Sequence, residues 1–312
     1  MLPATLAALA AAAANAQQAG VFVLVVNDTY DQSAELFRQW VAFTGANYIL
    51  AEVSFPAGSA GAPRARRIAL EIAQLAAPDA PLLTTDADTT VGADWITNNL
   101  NWLQRGADLV CGQVDVSQVE HASLAKPVKD CGEVEAAYTA ALRQLWHGWT
   151  GGNAPDPLLS AMGASLAIRP EALRVVGGLP LPTVGEDRAL AQLMAEHGFS
   201  VVQAADVRVT TSLRLNGRAW GGVSDTLRER AVDQDPLCDE KLLPVRAMES
   251  LSQTWLRLAG QPGATASFAR LLGADLSMRE RMRLSAVRQE LRIAEALLQQ
   301  DAAVYGQAVA AE

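Results

Sequence analysis

The stretch LLTTDAD (Leu82–Asp88) is the most informative part of this sequence, because an apolar run ends directly in two acids. Pro81 to Thr85 is typical of a short buried strand. On an extended segment, residues two apart point to the same side, so we expect the carboxylates of Asp86 and Asp88 to converge at the strand end. Such a pair can hold Mn²⁺ or Mg²⁺ together with water and a diphosphate. An acidic turn that caps the next helix, which opens near Asp94, is the alternative interpretation.

Apolar strands alternate with helices on both sides of this stretch. Val21 to Val26 ends in the polar residues Asn27 and Asp28, as a buried parallel strand opening into a loop does. The same pattern predicts strands at Tyr48 to Val53 and Asp108 to Val114. Helices are predicted between them, at Ser33 to Thr44, Arg64 to Leu75 and Ala93 to Arg105. The alternation indicates an α/β fold with a Rossmann-like, mostly parallel sheet, whose ligands bind beyond the carboxyl ends of the strands.

The second half of the chain continues this pattern and then changes character. We expect a helix over Glu133 to His147, a strand over Ser160 to Ile168, a helix from Gly185 to His197 and a pair of extended stretches over Val201 to Thr211. Beyond Gly222, Leu, Arg, Glu and Gln recur at helical spacing. The sequence therefore predicts an α/β domain over residues 1–222 and a helical extension over residues 223–312.

Composition excludes several classes of protein. The chain has 312 residues, half of them hydrophobic, and a formal net charge of −9. It can bury a large core, while its acidity disfavours nucleic acid or an anionic membrane as the main partner. The three cysteines, Cys111, Cys131 and Cys238, lack CxxC spacing. They support neither a disulfide framework nor a thiolate zinc site, and they fit a reducing cytoplasm.

The N-terminal segment has two interpretations. Leu2 to Ala19 is rich in alanine, and its small residues before Gln17 resemble a signal-peptidase site. However, a secretory signal requires a basic residue before the apolar run, and no Lys or Arg precedes it here. We favour a helix that begins after Pro3, and we find no apolar run long enough to predict a transmembrane helix.

Two ordered blocks of this sequence resemble the family-two glycosyltransferases, which have the GT-A fold. The first block is TTDADTTVGADWI (Thr84–Ile96), which is similar to their strand-end Asp-x-Asp motif followed by a helix. The second block, Gly163 to Gly198, contains a strand, a Gly-Gly turn and a Glu-Asp pair in that order. The resemblance covers about residues 1–222. It implies transfer of a sugar from a nucleotide-sugar donor to an acceptor hydroxyl, with Mn²⁺ or Mg²⁺ as cofactor.

The resemblance also implies roles for individual residues. Asp187, near the start of a helix that favours an ionised carboxylate, would be the general base, and Glu186 would orient the acceptor. The other assignments are donor binding by Asn27, Asp28, Arg66 and Asp86, acceptor binding by Gly163, Ala164 and Ser165, and metal binding by Asp86 and Asp88. An arginine suits the donor because its planar fork pairs with phosphate or carbonyl oxygens. Arg214 and Arg218 flank a glycine turn that is either a diphosphate-binding loop or an ordinary exposed loop.

The sequence departs from the family at its beginning, which leaves other functions open. Family members open with an apolar strand and a nucleotide-contacting loop, whereas this chain starts at the helix that follows, so a central strand would be missing. No histidine falls on the position that completes the metal shell in family members. The alternatives are a nucleotidyltransferase, which would use the same acids on a nucleotide, and a GT-A-like binding protein that has lost turnover. The acceptor and the oligomeric state are not predicted.

Overall fold

The structure is a computed structural model that describes residues 1–29, 31–56, 61–182, 185–213 and 222–309, the last nine by their backbone. The chain forms two compact units. The first comprises residues 1–122 and 160–225, and the second comprises residues 123–159 and 226–312. The units therefore do not follow the linear division at residue 222, because residues 123–159 belong to the second one.

The first unit is mixed α/β. Its helices are α1 (Leu2–Ala16), α2 (Ser33–Thr44), α3 (Gly61–Ala76), α4 (Trp95–Gln104), α5 (Gln118–Ser123, which ends at the boundary), α7 (Pro170–Val175) and α8 (Glu186–Glu196), with α6 assigned to the second unit. Its strands are β1 (Phe22–Asn27), β2 (Tyr48–Val53), β3 (Leu82–Thr84), β4 (Thr89–Val91), β5 (Leu109–Val116), β6 (Leu166–Ile168) and β7 (Val201–Thr211). Most predicted elements are present, with shifted ends.

The strands form two sheets, and the larger one corrects the expectation of a mostly parallel arrangement. Strands β1 and β2 form a separate parallel pair. The five-stranded sheet has the order β3-β6-β5-β7-β4, and only its β5–β7 pair is parallel. The connection from β5 to β6 runs through the second unit instead of a simple crossover helix, so β6 enters the sheet antiparallel to both neighbours. The alternation of strands and helices in the sequence does not show that one connection passes through a second unit.

Three local predictions are also corrected. The strand expected over Ser160 to Ile168 is limited to β6, and the two stretches expected over Val201 to Thr211 are the single strand β7, opposite a register shift at Gly112. Asp86, Ala87 and Asp88 are not on an extended segment. They form a tight turn between β3 and β4, closed by a 3.1 Å hydrogen bond from the Thr89 amide to the Asp86 carbonyl.

Helix α1 packs into the first unit, which confirms the prediction of an N-terminal helix. Leu2 and Leu6 are buried against Phe37 and Val41 of α2, and Ala12 joins the core that surrounds Trp95. Burial of such side chains contributes about 1.5–3 kcal/mol each for the larger ones. Helix α1 therefore supports both the β1–β2 pair and the region of the Asp86–Asp88 turn.

The second unit is helical. Its elements are α6 (Lys126–Thr150), α9 (Val223–Val232, which begins at the unit boundary), α10 (Val245–Leu258), α11 (Ala264–Met278) and α12 (Leu284–Val309). Helix α6 packs against α10 and α12, and Tyr138, Leu142, Met248 and Phe268 are central to its core. In the part of the chain that the structure describes, no helix has the length and hydropathy needed to cross a membrane.

Candidate active site

Arg66 is the centre of a polar network that joins four segments of the first unit. Its Nη2 lies 2.7 Å from Asp86 Oδ1, and its Nε lies 3.0 Å from Glu186 Oε1. Its Nη1 donates to Thr84 Oγ1 at 3.1 Å and to the Gly163 carbonyl at 2.5 Å. One guanidinium thus connects α3, the end of β3, the segment before β6 and the start of α8.

The Arg66 guanidinium and the Glu186 carboxylate are largely buried, and the Asp86 carboxylate is partly exposed. Its side chain is 11% exposed, the Glu186 side chain 10% and the Asp86 side chain 40%. Burial acts to lower the pKa of Arg66, but the charges and hydrogen bonds of Asp86 and Glu186 outweigh it and raise that pKa above its usual value. Arg66 therefore stays protonated at any physiological pH, and its fixed fork aligns the two carboxylates.

The turn that carries Asp86 and Asp88 is supported from behind. Thr5 of α1 donates its hydroxyl to the Ala87 carbonyl at 3.0 Å. Thr89 is fully buried, and its hydroxyl donates to Thr211 Oγ1 at 2.9 Å. The Asp86 carboxylate remains partly open to solvent, so the turn presents an acid to a ligand while its backbone is fixed.

Asp187 lies in the first turn of α8 with its carboxylate held by two backbone amides. Its Oδ2 accepts a 2.7 Å hydrogen bond from the Gly163 amide, and its Oδ1 accepts a 2.8 Å bond from the Arg188 amide. Gly185 precedes the helix with a φ of 80°, a left-handed conformation that favours glycine. Through its carboxylate Asp187 thus joins the start of α8 to the segment before β6.

The predicted acceptor segment is brought to the same network, but its three residues differ in what they offer. Gly163 contacts both Arg66 and Asp187 through its backbone, and a Cβ at this position would collide with the Arg66 guanidinium. The side chains of Ala164 and Ser165 are buried, and the Ser165 hydroxyl accepts a 2.9 Å bond from Trp95 Nε1. Ser165 thus ties β6 to α4 and does not present its side chain to a ligand.

The predicted donor residues at the end of β1 lie beside the first turn of α3. Asn27 is the last residue of β1, and its side-chain amide lies directly against Gly61, the first residue of α3. Asp28 has a φ of 46° and accepts a 2.9 Å bond from the Phe55 amide through Oδ1. Asn27 therefore lies beside the start of α3, and Arg66 lies in the second turn of the same helix. Arg214 and Arg218 lie outside the described residues.

Four acids of the first unit have the chemistry to hold a hard divalent cation, although within the described residues no three of them bring ligand atoms within 4.8 Å of one another. Asp86, Asp88, Glu186 and Asp187 are oxygen donors of the type that Mn²⁺ and Mg²⁺ prefer, and among these acids and Arg66 the negative charges are in excess. Within the described ranges, the one group of three potential metal-binding side chains with ligand atoms within 4.8 Å of one another is Cys131, Glu135 and Cys238 in the second unit. At the Asp86–Asp88 turn the chain would thus supply one or two carboxylates, with further ligands from water and a diphosphate.

Two threonines were not predicted from the sequence: Thr84, which accepts a hydrogen bond from Arg66, and Thr5, which donates one to the turn that carries Asp86 and Asp88. Thr84 lies within the LLTTDAD stretch, two residues before Asp86, so its position on the same side of the strand could have indicated it. Thr5 gave no such signal, because only the packing of α1 brings it to Ala87.

Comparison with known proteins adds little to this geometry. No protein-family model matches the chain, and no curated protein matches it. Among solved structures, the chain is similar to the mannosyltransferase PcManGT from Pyrobaculum calidifontis in complex with GDP-Man and Mn2+. The sequence identity is 18% and the TM-score 0.44, over 90% of this chain and 70% of that chain. A similarity this distant carries no functional argument.

Proposed function

We propose that the first unit is a metal-dependent glycosyltransferase of the GT-A type, which moves a sugar from a nucleoside-diphosphate sugar to an acceptor hydroxyl. The observation that carries the proposal is the contact of Arg66 with both Asp86 and Glu186. These acids come from the two sequence blocks that resemble family-two glycosyltransferases, and they lie 100 positions apart. An unrelated pair of acidic turns would have no reason to share one buried arginine.

On the donor side, Arg66 and the Asp86–Asp88 turn provide the charges that a diphosphate needs. Mn²⁺ or Mg²⁺, when bound, would offset the negative charge of the departing nucleoside diphosphate. Arg66 would add positive charge on the donor side while its guanidinium stays paired with Asp86 and Glu186, and Asp86 and Asp88 would supply carboxylates for the cation. Asn27 and Asp28 would receive the nucleoside at the end of β1, and Arg214 and Arg218 remain candidates for contacts to the diphosphate.

On the acceptor side, Asp187 is the proposed general base. Two backbone amides fix its carboxylate in one orientation, so an acceptor hydroxyl that approaches it meets a preorganised proton acceptor. Glu186 would orient the acceptor while remaining paired with Arg66, and Gly163 would leave room for the Arg66 guanidinium beside them. A single displacement by the acceptor oxygen, with Asp187 taking its proton, inverts the configuration at the anomeric carbon.

Calorimetry with a panel of UDP-, GDP- and dTDP-sugars, with and without Mn²⁺, tests this proposal on the full chain. We expect binding of at least one nucleotide sugar that requires Mn²⁺ and is lost in Asp88→Ala. Asp79→Ala is the matched control, because Asp79 is an exposed acid shortly before β3, and it should bind as the unmodified chain does. Binding of nucleoside triphosphates alone would instead support a nucleotidyltransferase.

Transfer itself is tested separately from binding. A chain that binds a metal–donor complex should also release the nucleoside diphosphate, slowly with water and faster with a suitable acceptor. Binding without release under any acceptor would support the alternative of a GT-A-like protein that has lost turnover. Absence of metal-dependent binding to every nucleotide sugar would contradict the proposal.

A further inference from the structure

The second unit contains a pair of buried thiols that the proposed reaction does not use. Cys131 lies on α6, and Cys238 lies in the segment between α9 and α10. Their Sγ atoms are 3.9 Å apart, and both residues have no solvent exposure. Spacing along the sequence does not indicate this pair, because the two residues are 107 positions apart.

The backbone on both sides of the pair is fixed. The Cys238 amide donates to the Met282 carbonyl at 2.8 Å, and the Cys238 carbonyl accepts from Arg281 Nη2 at 2.7 Å. Further along α6, the Tyr138 hydroxyl donates to the Leu243 carbonyl at 2.6 Å. The helix and the segment are thus tied together beside the sulfurs. The two sulfurs, 3.9 Å apart, would have to approach to about 2.05 Å to form a disulfide bond.

The surroundings of the pair make one sulfur the nucleophile. The hydrogen bond with Cys238 lowers the pKa of Cys131, whereas burial and the negative charge of Glu135 raise it and the positive charges of Arg230 and Arg288 lower it; the net effect is a lowered pKa. The same hydrogen bond raises the pKa of Cys238, and burial adds to that rise. A thiolate is the reactive form of cysteine, so Cys131 is the sulfur that reacts first.

Glu135, one helical turn after Cys131, could suggest a metal site instead, since the three ligand atoms lie within 4.8 Å of one another. Its carboxylate is already engaged, however. Arg230 holds both oxygens in a fork at 2.6 and 2.9 Å, and the Asp239 amide donates to Oε1 at 2.7 Å. A closed structural zinc site uses four protein ligands, whereas this group offers three among the described residues, beside a fixed guanidinium. These contacts favour thiol chemistry over metal binding.

We propose that Cys131 and Cys238 form a modification site that a hydroperoxide closes to an intramolecular disulfide. The Cys131 thiolate attacks a peroxide oxygen, the O–O bond breaks, and the leaving hydroxide takes a proton to become water. The Cys238 sulfur then attacks the Cys131 sulfenic acid, the S–O bond breaks, and the second hydroxide leaves as water with the Cys238 proton. The two sulfurs lose two electrons in total, and the peroxide is reduced to two waters.

Because both thiols are buried, a small oxidant reaches them more easily than a bulky one. Hydrogen peroxide is close to water in size, so small openings of the second unit admit it, whereas a bulky disulfide reagent needs a larger opening. The cross-link would join α6 to the segment before α10 across 107 positions. It would restrict the unfolded chain and thereby stabilise the second unit.

Equimolar hydrogen peroxide on the native full chain tests the proposal, followed by alkylation in denaturant, intact mass and non-reducing peptide mapping. We expect the loss of two hydrogens, a peptide linking Cys131 to Cys238 and a higher melting temperature of the second unit. Cys131→Ala and Cys238→Ala should each abolish the link. Cys111→Ala is the matched control, since Cys111 is equally buried but lies in the first unit, and it should leave the link intact.

Three results would overturn the proposal. Both thiols could remain fully alkylated after peroxide, they could be oxidised to sulfinic or sulfonic acids without a link, or stoichiometric zinc could be retained on purification and shield both thiols. The mass and the linked peptide of the unmodified chain decide the question even if an alanine variant fails to fold. Circular dichroism of each variant identifies that case.

Discussion

Arg66 and Glu186 form a 3.0 Å ion pair across 120 positions of the sequence, with both side chains about nine-tenths buried. Taking two charges out of water is costly unless each finds a partner. Helix α3 and the start of α8 must therefore come together before either charge can be buried. This pair makes the arrangement of the candidate site a condition of folding of the first unit.

Arg66→Met should destabilise the first unit by about 3 kcal/mol, because Glu186 would be left buried without its counter-charge. This loss of stability is at the lower end of the range for breaking a buried ion pair, because Asp86 is partly exposed and water can solvate its charge. Urea unfolding followed by tryptophan fluorescence measures it. Adding Glu186→Gln should restore part of the loss. Arg38→Met, which removes an exposed pair with Glu52, is the control and should cost little; an equal loss there would contradict the assignment.

The sequence predicted which residues take part in this network better than it predicted how they are arranged. Asp86, Glu186 and Asp187 could be identified because each follows a breaker or a strand at a recognisable position, and Arg66 because the resemblance placed it on the donor side. The turn at Asp86–Asp88 was missed because local spacing does not show that the chain must return at once as β4. Thr89 pairs with Thr211 at the far edge of the sheet, and that long-range pairing imposes the turn.

The fold was predicted in its elements and not in its connections. The sequence predicted a helix over Glu133 to His147 inside an α/β domain, yet residues 123–159 belong to the same compact unit as the C-terminal helices. The contact between Tyr138 and Leu243 decides that placement, and it spans 105 positions. Hydrophobic periodicity indicates that α6 has an apolar face but not which part of the chain covers it.

Asp187→Asn should lower kcat about 100-fold or more while leaving donor affinity nearly unchanged, on the proposal that Asp187 is the general base. The amide keeps the shape of the side chain but cannot take a proton. Nucleotide release at saturating donor measures kcat, and calorimetry measures donor binding. Glu196→Gln, at the other end of α8, is the control and should leave both values unchanged. Retention of full turnover in Asp187→Asn would remove this residue from the mechanism.

Gly163→Ala should disrupt the network without removing any of its charged groups. The added Cβ would collide with the Arg66 guanidinium, which must then shift away from Asp86 or Glu186. We expect lower stability and weaker metal-dependent donor binding. Gly132→Ala is a suitable control, because a Cβ at Gly132 on α6 meets no atom within 4 Å; alanine there should stabilise the helix by about 0.5–1 kcal/mol. Unchanged donor binding in Gly163→Ala would show that the Arg66 contacts are not required.

Thr5→Val should weaken metal-dependent donor binding although Thr5 is not itself proposed to contact the metal or the donor. The substitution keeps the shape of the side chain and removes the hydrogen bond to the Ala87 carbonyl, which costs about 1 kcal/mol and loosens the turn that carries Asp86 and Asp88. Calorimetry with Mn²⁺ and the best-binding donor measures the change. Thr254→Val removes a hydroxyl bonded within α10 and should not alter binding. Equal donor affinities for Thr5→Val and the unmodified chain would contradict the supporting role of α1.

The second unit should lose stability in alkaline solution through Tyr138. Burial raises the pKa of this phenol above its usual value, and the Glu290 carboxylate adds to the rise. The folded state therefore holds the proton more tightly than the unfolded state, whose phenol titrates near a pH of about 10. The stabilisation is complete below that pH and is lost as the pH rises above it toward the folded pKa. Tyr138→Phe should be less stable by about 1–3 kcal/mol at neutral pH, because the Leu243 carbonyl loses its donor.

The stability of Tyr138→Phe should also fall less steeply than that of the unmodified chain between pH values of about 10 and 11. Urea unfolding of both proteins across this range would measure the two slopes. An equal slope in the two proteins would mean that Tyr138 ionises as easily folded as unfolded.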